Sequence, residues 1–333
     1  MYILGIESSC DDTAAAVLNN STVCSSVLTS QDAIHRRFGG VVPELASRKH
    51  LEAIVPMVDS ALAQAGIDLA GIDLIAATRG PGLVGSLLVG YSYARALAHV
   101  SRIPLVGVDH MAGHILSVFL GAKPPTFPYI SLIVSGGNSA LYLAEDYCTF
   151  RLLGRTRDDA AGEVFDKVAK LLHLPYPGGP QVAARAETGN REAIRFPRAW
   201  LGDHSLDFSF SGLKTAVRVH VEQHQHQLSQ TMLNDICASF EEAVVEVLVE
   251  KTILAARQCK VNSIALGGGV SANNRLRELF ELRCRQDGFG FFPPARQYST
   301  DNAAMIALAG LHMYQRYGPV SSDADVFSRS TLG

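Results

Sequence analysis

The chain predicts an α/β fold built from two halves that share one element order, βββαβαβα, around a central nucleotide cleft. Three observations lead there. Short apolar runs alternate with longer segments of helical periodicity. Their order in the first third recurs after residue 128, and glycine-rich junctions fall at corresponding points of the two halves. An order that repeats at this length implies an internal duplication.

In the first half, strands are expected near 2–6, 13–18 and 23–28, a helix over 47–65 and a strand at 73–77. A helix over 84–100, a strand at 104–108 and a helix opening at "HMAGH" follow. In the second half, strands near 129–134, 139–144 and 149–153 precede a helix over 159–172, then irregular polar sequence runs to about 228. The remainder reads as a helix over 235–258, a strand at 262–266, a helix from 271, a strand at 288–292 and a helix over 301–316. The helix over 235–258 keeps an apolar stripe of Ile236, Phe240, Val244, Val247 and Leu254. The expected domains are a first lobe over 1–125, a second over 126–300 with an insertion near 173–228, and a C-terminal helix and tail over 301–333 that return toward the first lobe.

At 47% hydrophobic residues the 333-residue chain can bury two substantial cores. The longest apolar run, "LVGSLLVGYSYARALAHV", is broken by Ser86, Ser92 and Arg95, so no membrane span is expected. No signal or transit segment is recognisable, and a cytoplasmic protein is expected. Six cysteines lie scattered without a CxxC pair, which argues against a disulfide framework or a thiolate zinc site. With 29 basic against 32 acidic residues, any contact with nucleic acid must be local.

Three glycine-rich turns stand out. "LIVSGGNSALYL" (132–143) reads as a hairpin whose glycines permit positive φ and let a ligand approach the backbone. "IALGGGVSANNRL" (264–276) reads as a strand entering a helix capped by Ser271, with amide groups and the helix dipole available to an anion. "ATRGPGLVGSLLVG" (77–90) is its counterpart in the first half. Neither GxxxxGK[ST] nor GxGxxG occurs, so a phosphate site must be built another way. The acidic turn of "LGIESSCDDTAAAVL" (4–18) takes the place in the first half that 132–143 takes in the second, and carries Ser8, Ser9, Asp11, Asp12 and Thr13.

His110 and His114 are four residues apart, which puts both on one helix face at metal-ligand spacing. Taken alone, the pair fits two buried, hydrogen-bonded histidines equally well. Met111 stands where the HExxH pattern of zinc proteases needs its glutamate.

The runs "GIESSCDDT", "GGVVPELASRKH", "GPGLVGSLLVG", "HMAGH", "IVSGGN", "AAGEVFDKVAKLL", "YPGGP", "FSFSGLKTA", "GGGVSANNRLR" and "STDNAAMIA" extend from Gly5 to Ala307. Together they resemble the TsaD family, the tRNA adenosine threonylcarbamoyltransferases with archaeal and eukaryotic relatives in the KEOPS complex. That family sits in the ribonuclease H-like superfamily of acetate kinase, Hsp70 and actin. The resemblance implies one divalent metal held by His110, His114 and Asp301, with Fe(2+) favoured and Zn(2+) the alternative. Two imidazoles and a carboxylate leave positions open on such an ion, as working sites do. It implies nucleotide contacts from Ile133, Val134, Ser135, Gly136, Gly137, Asp166, Gly179 and Asn273. Lys214 and Glu44 match family runs without an assigned role.

The activity so implied is transfer of threonylcarbamoyl from threonylcarbamoyl-AMP to N6 of the adenosine at position 37 of tRNAs reading ANN codons. Asp11 and Asp12 are the catalytic candidates, Asp11 for orienting or deprotonating the amine. Implied partners are tRNA, a TsaB-like paralogue and a TsaE-like ATPase, with a TsaC-like enzyme supplying the intermediate. Two departures stand out: Asn138-Ser139 replace the usual His-Thr, and Asp12 replaces a glutamate. The rival readings are a nucleotide-binding scaffold, a kinase of the same superfamily and, last, a metalloprotease.

Overall fold

The computed structural model describes residues 1–200, 204–224, 229–320, 324–330 and 332. Along the chain run β1 (Tyr2–Glu7), β2 (Asp12–Asn19), β3 (Thr22–Ser30), α1 (Asp32–His35), α2 (Pro43–Ala65), β4 (Leu74–Gly80), α3 (Val84–Ser101), β5 (Leu105–Asp109) and α4 (His110–Leu116). Next come β6 (Tyr129–Val134), β7 (Ser139–Ala144), β8 (Phe150–Arg155), α5 (Ala161–Leu171), α6 (Gly178–Ala186), α7 (Ser211–His224) and α8 (Gln230–Cys259). The chain closes with β9 (Ser263–Gly267), α9 (Asn274–Asp287), β10 (Gly290–Phe292) and α10 (Ala303–Tyr317).

Two five-stranded sheets form, ordered β3-β2-β1-β4-β5 and β10-β9-β6-β7-β8. In each, the first strand of the half sits centrally, flanked by its hairpin partner on one side and a later strand on the other. β1 pairs antiparallel with β2 and parallel with β4; β6 pairs parallel with β9. The expected duplication is therefore present in the strand order, and the α/β class holds.

Two compact units divide the chain. One comprises Met1–Pro124, Ala144–Arg151 and Pro294–Gly333; the other comprises Pro125–Leu143 and Leu152–Pro293. The first unit's core gathers Leu4, Ile6, Val17, Ile54, Ile75 and Tyr91 from its sheet, α2 and α3. The second is organised around α8, whose Ile236, Phe240, Val244 and Val247 are buried with Val164, Phe165 and Phe208.

Two expectations need correction. The insertion read as irregular over 173–228 contains α6 and α7, while its residues 201–203 and 225–228 lie outside the described ones. "PGGP" resembles a chain break, yet Pro177 is the N-cap of α6 and both glycines lie in its first turn, where missing or unpaired N–H groups cost little. In α7, "AVRVHV" imitates strand alternation, but Leu213, Val217 and Val221 bury one face at i, i+4, i+8. Finally α2 begins at Pro43, four residues before the expected start, because proline's fixed φ suits the first helical turn.

Candidate functional site

β5 delivers Asp109, whose side chain accepts a hydrogen bond from the Met111 N–H and so caps α4. The seven-residue helix that follows buries both His110 and His114. Their rings meet edge to face at 4.6 Å. Asp301, just ahead of α10, brings Oδ1 to 3.1 Å from His114 Nε2 and 3.4 Å from His110 Nε2. One ligand atom from each residue lies within 4.8 Å of the others. Imidazole nitrogen and carboxylate oxygen converging in a buried place suit a divalent transition ion, so the residues present fit the metal expected for them.

Sequence reasoning missed Glu7. It is fully buried at the end of β1, and its Oε2 accepts from His110 Nδ1 at 2.9 Å and from Thr78 Oγ1 at 2.6 Å. A carboxylate on Nδ1 fixes the His110 tautomer and leaves Nε2 as the outward ligand atom. Burial pushes the Glu7 carboxyl up, but the charge of His110 and its hydrogen bond bring it below the usual range. Burial likewise opposes protonation of His110, and Glu7 with Asp301 outweighs it, holding His110 well above its ordinary value. Two carboxylates thus already favour positive charge at this spot. His114 has no such helper: its Nδ1 finds no hydrogen-bond partner among the described residues. The only sequence signal for Glu7 was a lone acid ending an apolar strand.

The β1–β2 turn lies in the same unit. Asp11 and Asp12 are both half-buried there, and burial together with the negative charge of Asp301 raises both carboxyls, Asp12 to about 7. The structure therefore brings both acidic candidates within electrostatic reach of Asp301.

The nucleotide candidates gather in the other unit. Ile133 and Val134 are buried at the end of β6, and the turn closes by Ser135 N–H donating to the Asn138 carbonyl at 2.8 Å. Contrary to expectation, neither Gly136 nor Gly137 adopts positive φ. A Cβ at either would meet nothing within 4 Å, so neither backbone strain nor packing demands glycine there. What the glycines provide is bare, exposed backbone. Gly179 is equally open at the start of α6, whereas a Cβ on Gly178 would sit 2.7 Å from Asp166 Cα. Asp166 Oδ1 accepts the Gly178 N–H at 2.7 Å and ties α5 to α6.

Asn273, not Ser271, is the N-cap of α9, accepting from Leu276 N–H at 2.8 Å. Ser271 falls in a preceding 3₁₀ turn because the chain needs one more turn after Gly268, at φ 83°, to clear β6. Asn273 Nδ2 donates to the buried Glu241 at 2.7 Å, and burial lifts that carboxyl to about 7. Lys214 pairs with Asp159 at 2.6 Å, and Glu44 with Arg48 on the exposed face of α2. Among the described residues no helix is long and apolar enough to cross a membrane.

A sequence model of the TsaD family, described as tRNA N6-adenosine threonylcarbamoyltransferase, matches residues 22–308. A protein of that description from Desulfotalea psychrophila is 58% identical over 337 aligned residues, covering 100% of this chain and 98% of that one. Another, from Moorella thermoacetica, is 53% identical over 97% of this chain and 95% of its own. Among solved structures, component A of the Acidaminococcus fermentans (R)-2-hydroxyglutaryl-CoA dehydratase matches with a TM-score of 0.55 and 16% identity, over 95% of this chain and 99% of that one. HypF from T. kodakarensis matches with a TM-score of 0.62 at 16% identity, over 94% of this chain and 48% of its own. At such identities these two speak for the fold alone.

Proposed function

The chain belongs to the TsaD family, the tRNA N6-adenosine threonylcarbamoyltransferases, and from that premise we propose which of its residues carry the transfer. It is an acyltransferase that forms N6-threonylcarbamoyladenosine in tRNA. The donor in this reading is threonylcarbamoyl-AMP. The N6 nitrogen bonds to the carbamoyl carbon, the carbon–oxygen bond to phosphate breaks, AMP departs and the amine gives up a proton. Asp11 orients the amine or takes that proton, with Asp12 beside it; a carboxyl whose affinity for protons is raised by burial is a better acceptor than an ordinary one. The exposed backbone of Gly136 and Gly137, with Ile133, Val134, Ser135, Asp166, Gly179 and Asn273, holds the adenylate. Held in place, the two reactants need no covalent enzyme intermediate.

His110, His114 and Asp301 would hold one divalent ion, iron(II) in preference to zinc, which when bound supplies Lewis-acid stabilisation of developing negative charge. Glu7 keeps His110 turned for that purpose. A TsaB-like paralogue and a TsaE-like ATPase complete a cytoplasmic assembly, with a TsaC-like enzyme making the adenylate. In support of a protein partner, α2 and α3 expose Leu51, Val55 and Leu88. The two lobes read from the sequence, 1–125 and 126–300 with 301–333 returning to the first, belong to the same proposal.

The observation that carries this reading is the convergence of three ligand atoms beside two acids whose carboxyls the same Asp301 perturbs. The test incubates protein, partners, pre-made adenylate and unmodified tRNA, and resolves nucleosides by mass spectrometry. Asp11→Asn and His114→Ala are expected to suppress the modified nucleoside; wild-type yields from both would remove the site assignment while leaving the family activity intact.

A further inference from the structure

The turn that bears Asp11 is held from behind by two helices, and the holding atoms have no part in the chemistry above. The Cys10 carbonyl accepts two hydrogen bonds, from His50 Nε2 of α2 at 3.0 Å and from Ser86 Oγ of α3 at 3.0 Å. Ser8 Oγ donates to the Ser86 carbonyl at 3.0 Å, and Leu83 N–H donates to the Ser9 carbonyl at 2.8 Å. Because a carbonyl can only accept, His50 must carry its proton on Nε2, which leaves Nδ1 to accept from Thr13 Oγ1 at 2.8 Å. Burial disfavours the charged imidazole, so His50 is a neutral, fully buried bridge between the residue before Asp11 and the second residue of β2.

The glycines of "GPGLVGSLLVG" complete the socket. A Cβ on Gly82 would lie 2.4 Å from the Ser9 carbonyl oxygen, and one on Gly90 2.1 Å from Ser8 Oγ. Read from sequence as the counterpart of an anion loop, this segment instead lets α3 press against the acidic turn. At both positions the backbone of this segment packs directly against the turn.

We propose that His50, with Ser86 opposite, is a positioning residue for the transfer: by clamping the Cys10 carbonyl it fixes the direction in which the Asp11 carboxylate leaves the turn. This rests on the reading that Asp11 acts on the amine. A geometric error of about 1 Å at a reacting group can cost on the order of 100-fold in rate.

The test compares His50→Ala, Ser86→Ala and Asp11→Asn, singly and with each of the first two combined with the third, in the complete tRNA modification assay. His50→Ala is expected to lower kcat by about 10- to 100-fold and leave KM for tRNA and adenylate and the metal content unchanged. Ser86→Ala should do the same to a smaller degree, and it carries the test if His50→Ala fails to unfold cooperatively. In the Asp11→Asn background neither substitution should slow the reaction further. Losses that multiply in the double variants, or a rise in KM instead of a fall in kcat, would overturn the positioning role. Wild-type kcat in His50→Ala and Ser86→Ala alongside a slow Asp11→Asn would overturn it too and spare the Asp11 reading. A fast Asp11→Asn would remove that reading first.

Discussion

The β1–β2 and β6–β7 turns hold the same place in two copies of one strand order, and they have been taken in opposite chemical directions. The first carries acids, is clamped by α2 and α3, and shares its unit with a buried centre of two histidines and two carboxylates. The second carries two glycines with nothing within 4 Å of where a side chain would go. In the function proposed above, the first turn would serve as a base and the second as a cradle for an anion, so that the duplicated fold would assign proton chemistry to one copy and phosphate binding to the other.

That contrast can be broken most forcefully on the clamped side. Alanine at His110, His114 or Asp301 is expected to remove the metal and lower transfer by at least about 100-fold, while Glu7→Gln should weaken metal binding by about 10- to 100-fold because only the His110 orientation suffers. Elemental analysis beside the tRNA assay checks both; metal retained in all three alanine variants would end the centre's assignment. On the open side, Gly136→Val should weaken adenylate binding by about 10- to 100-fold, the worth of one hydrogen bond to a charged group. Its melting temperature should stay put, because the new side chain enters free space. Undiminished adenylate affinity by calorimetry would show that the turn is not the cradle.

The units also differ in their buried acids. Glu7 is held below the usual carboxylate range by His110, whereas Glu241, only 3% exposed, is lifted from 4.5 to about 7. Between those last two values the folded chain binds the proton that the unfolded chain has released, so Glu241 makes stability fall as pH rises through that window and level off above it. Glu241→Gln, which keeps an acceptor for Asn273, should flatten this slope by on the order of 1–3 kcal/mol. Urea unfolding at either end of the window reads it, and parallel curves for the two proteins would refute it. The smallest effect is expected at Asn138, whose N–H and carbonyl close the turn. Asn138→His should leave the pH profile of transfer unchanged; a new titration near about 6.5 would show that the open turn also handles protons.

Much of this was legible in the chain because period and order are local properties. The strand of Tyr129–Val134 and the stripe through α8 follow from spacing alone. So did the pairing of His110 with His114, since four residues make a helix face. Glu7 was not legible, because its meaning comes from Thr78 and His110, which reach it only after β1, β4 and α4 have come together. Ser271 and Asn273 competed for one cap on equal chemistry, and the path of the backbone past β6 decided between them. α6 and α7 were hidden by residues whose local preference, glycine in one and valine in the other, was overruled by burial.

The contact between β1 and α10 has a further meaning. A methyl group on Gly5 would fall 2.2 Å from the Ala303 carbonyl oxygen, a backbone atom that cannot swing away. Glu7 stands two residues beyond Gly5 on the strand, and Asp301 two residues before Ala303, which opens α10. The two chain segments that carry the carboxylates on either side of His110 thus approach each other through main chain. Glycine at position 5 therefore sets how closely β1 lies against the start of α10, and with it the spacing of the two carboxylates that meet His110 from either side.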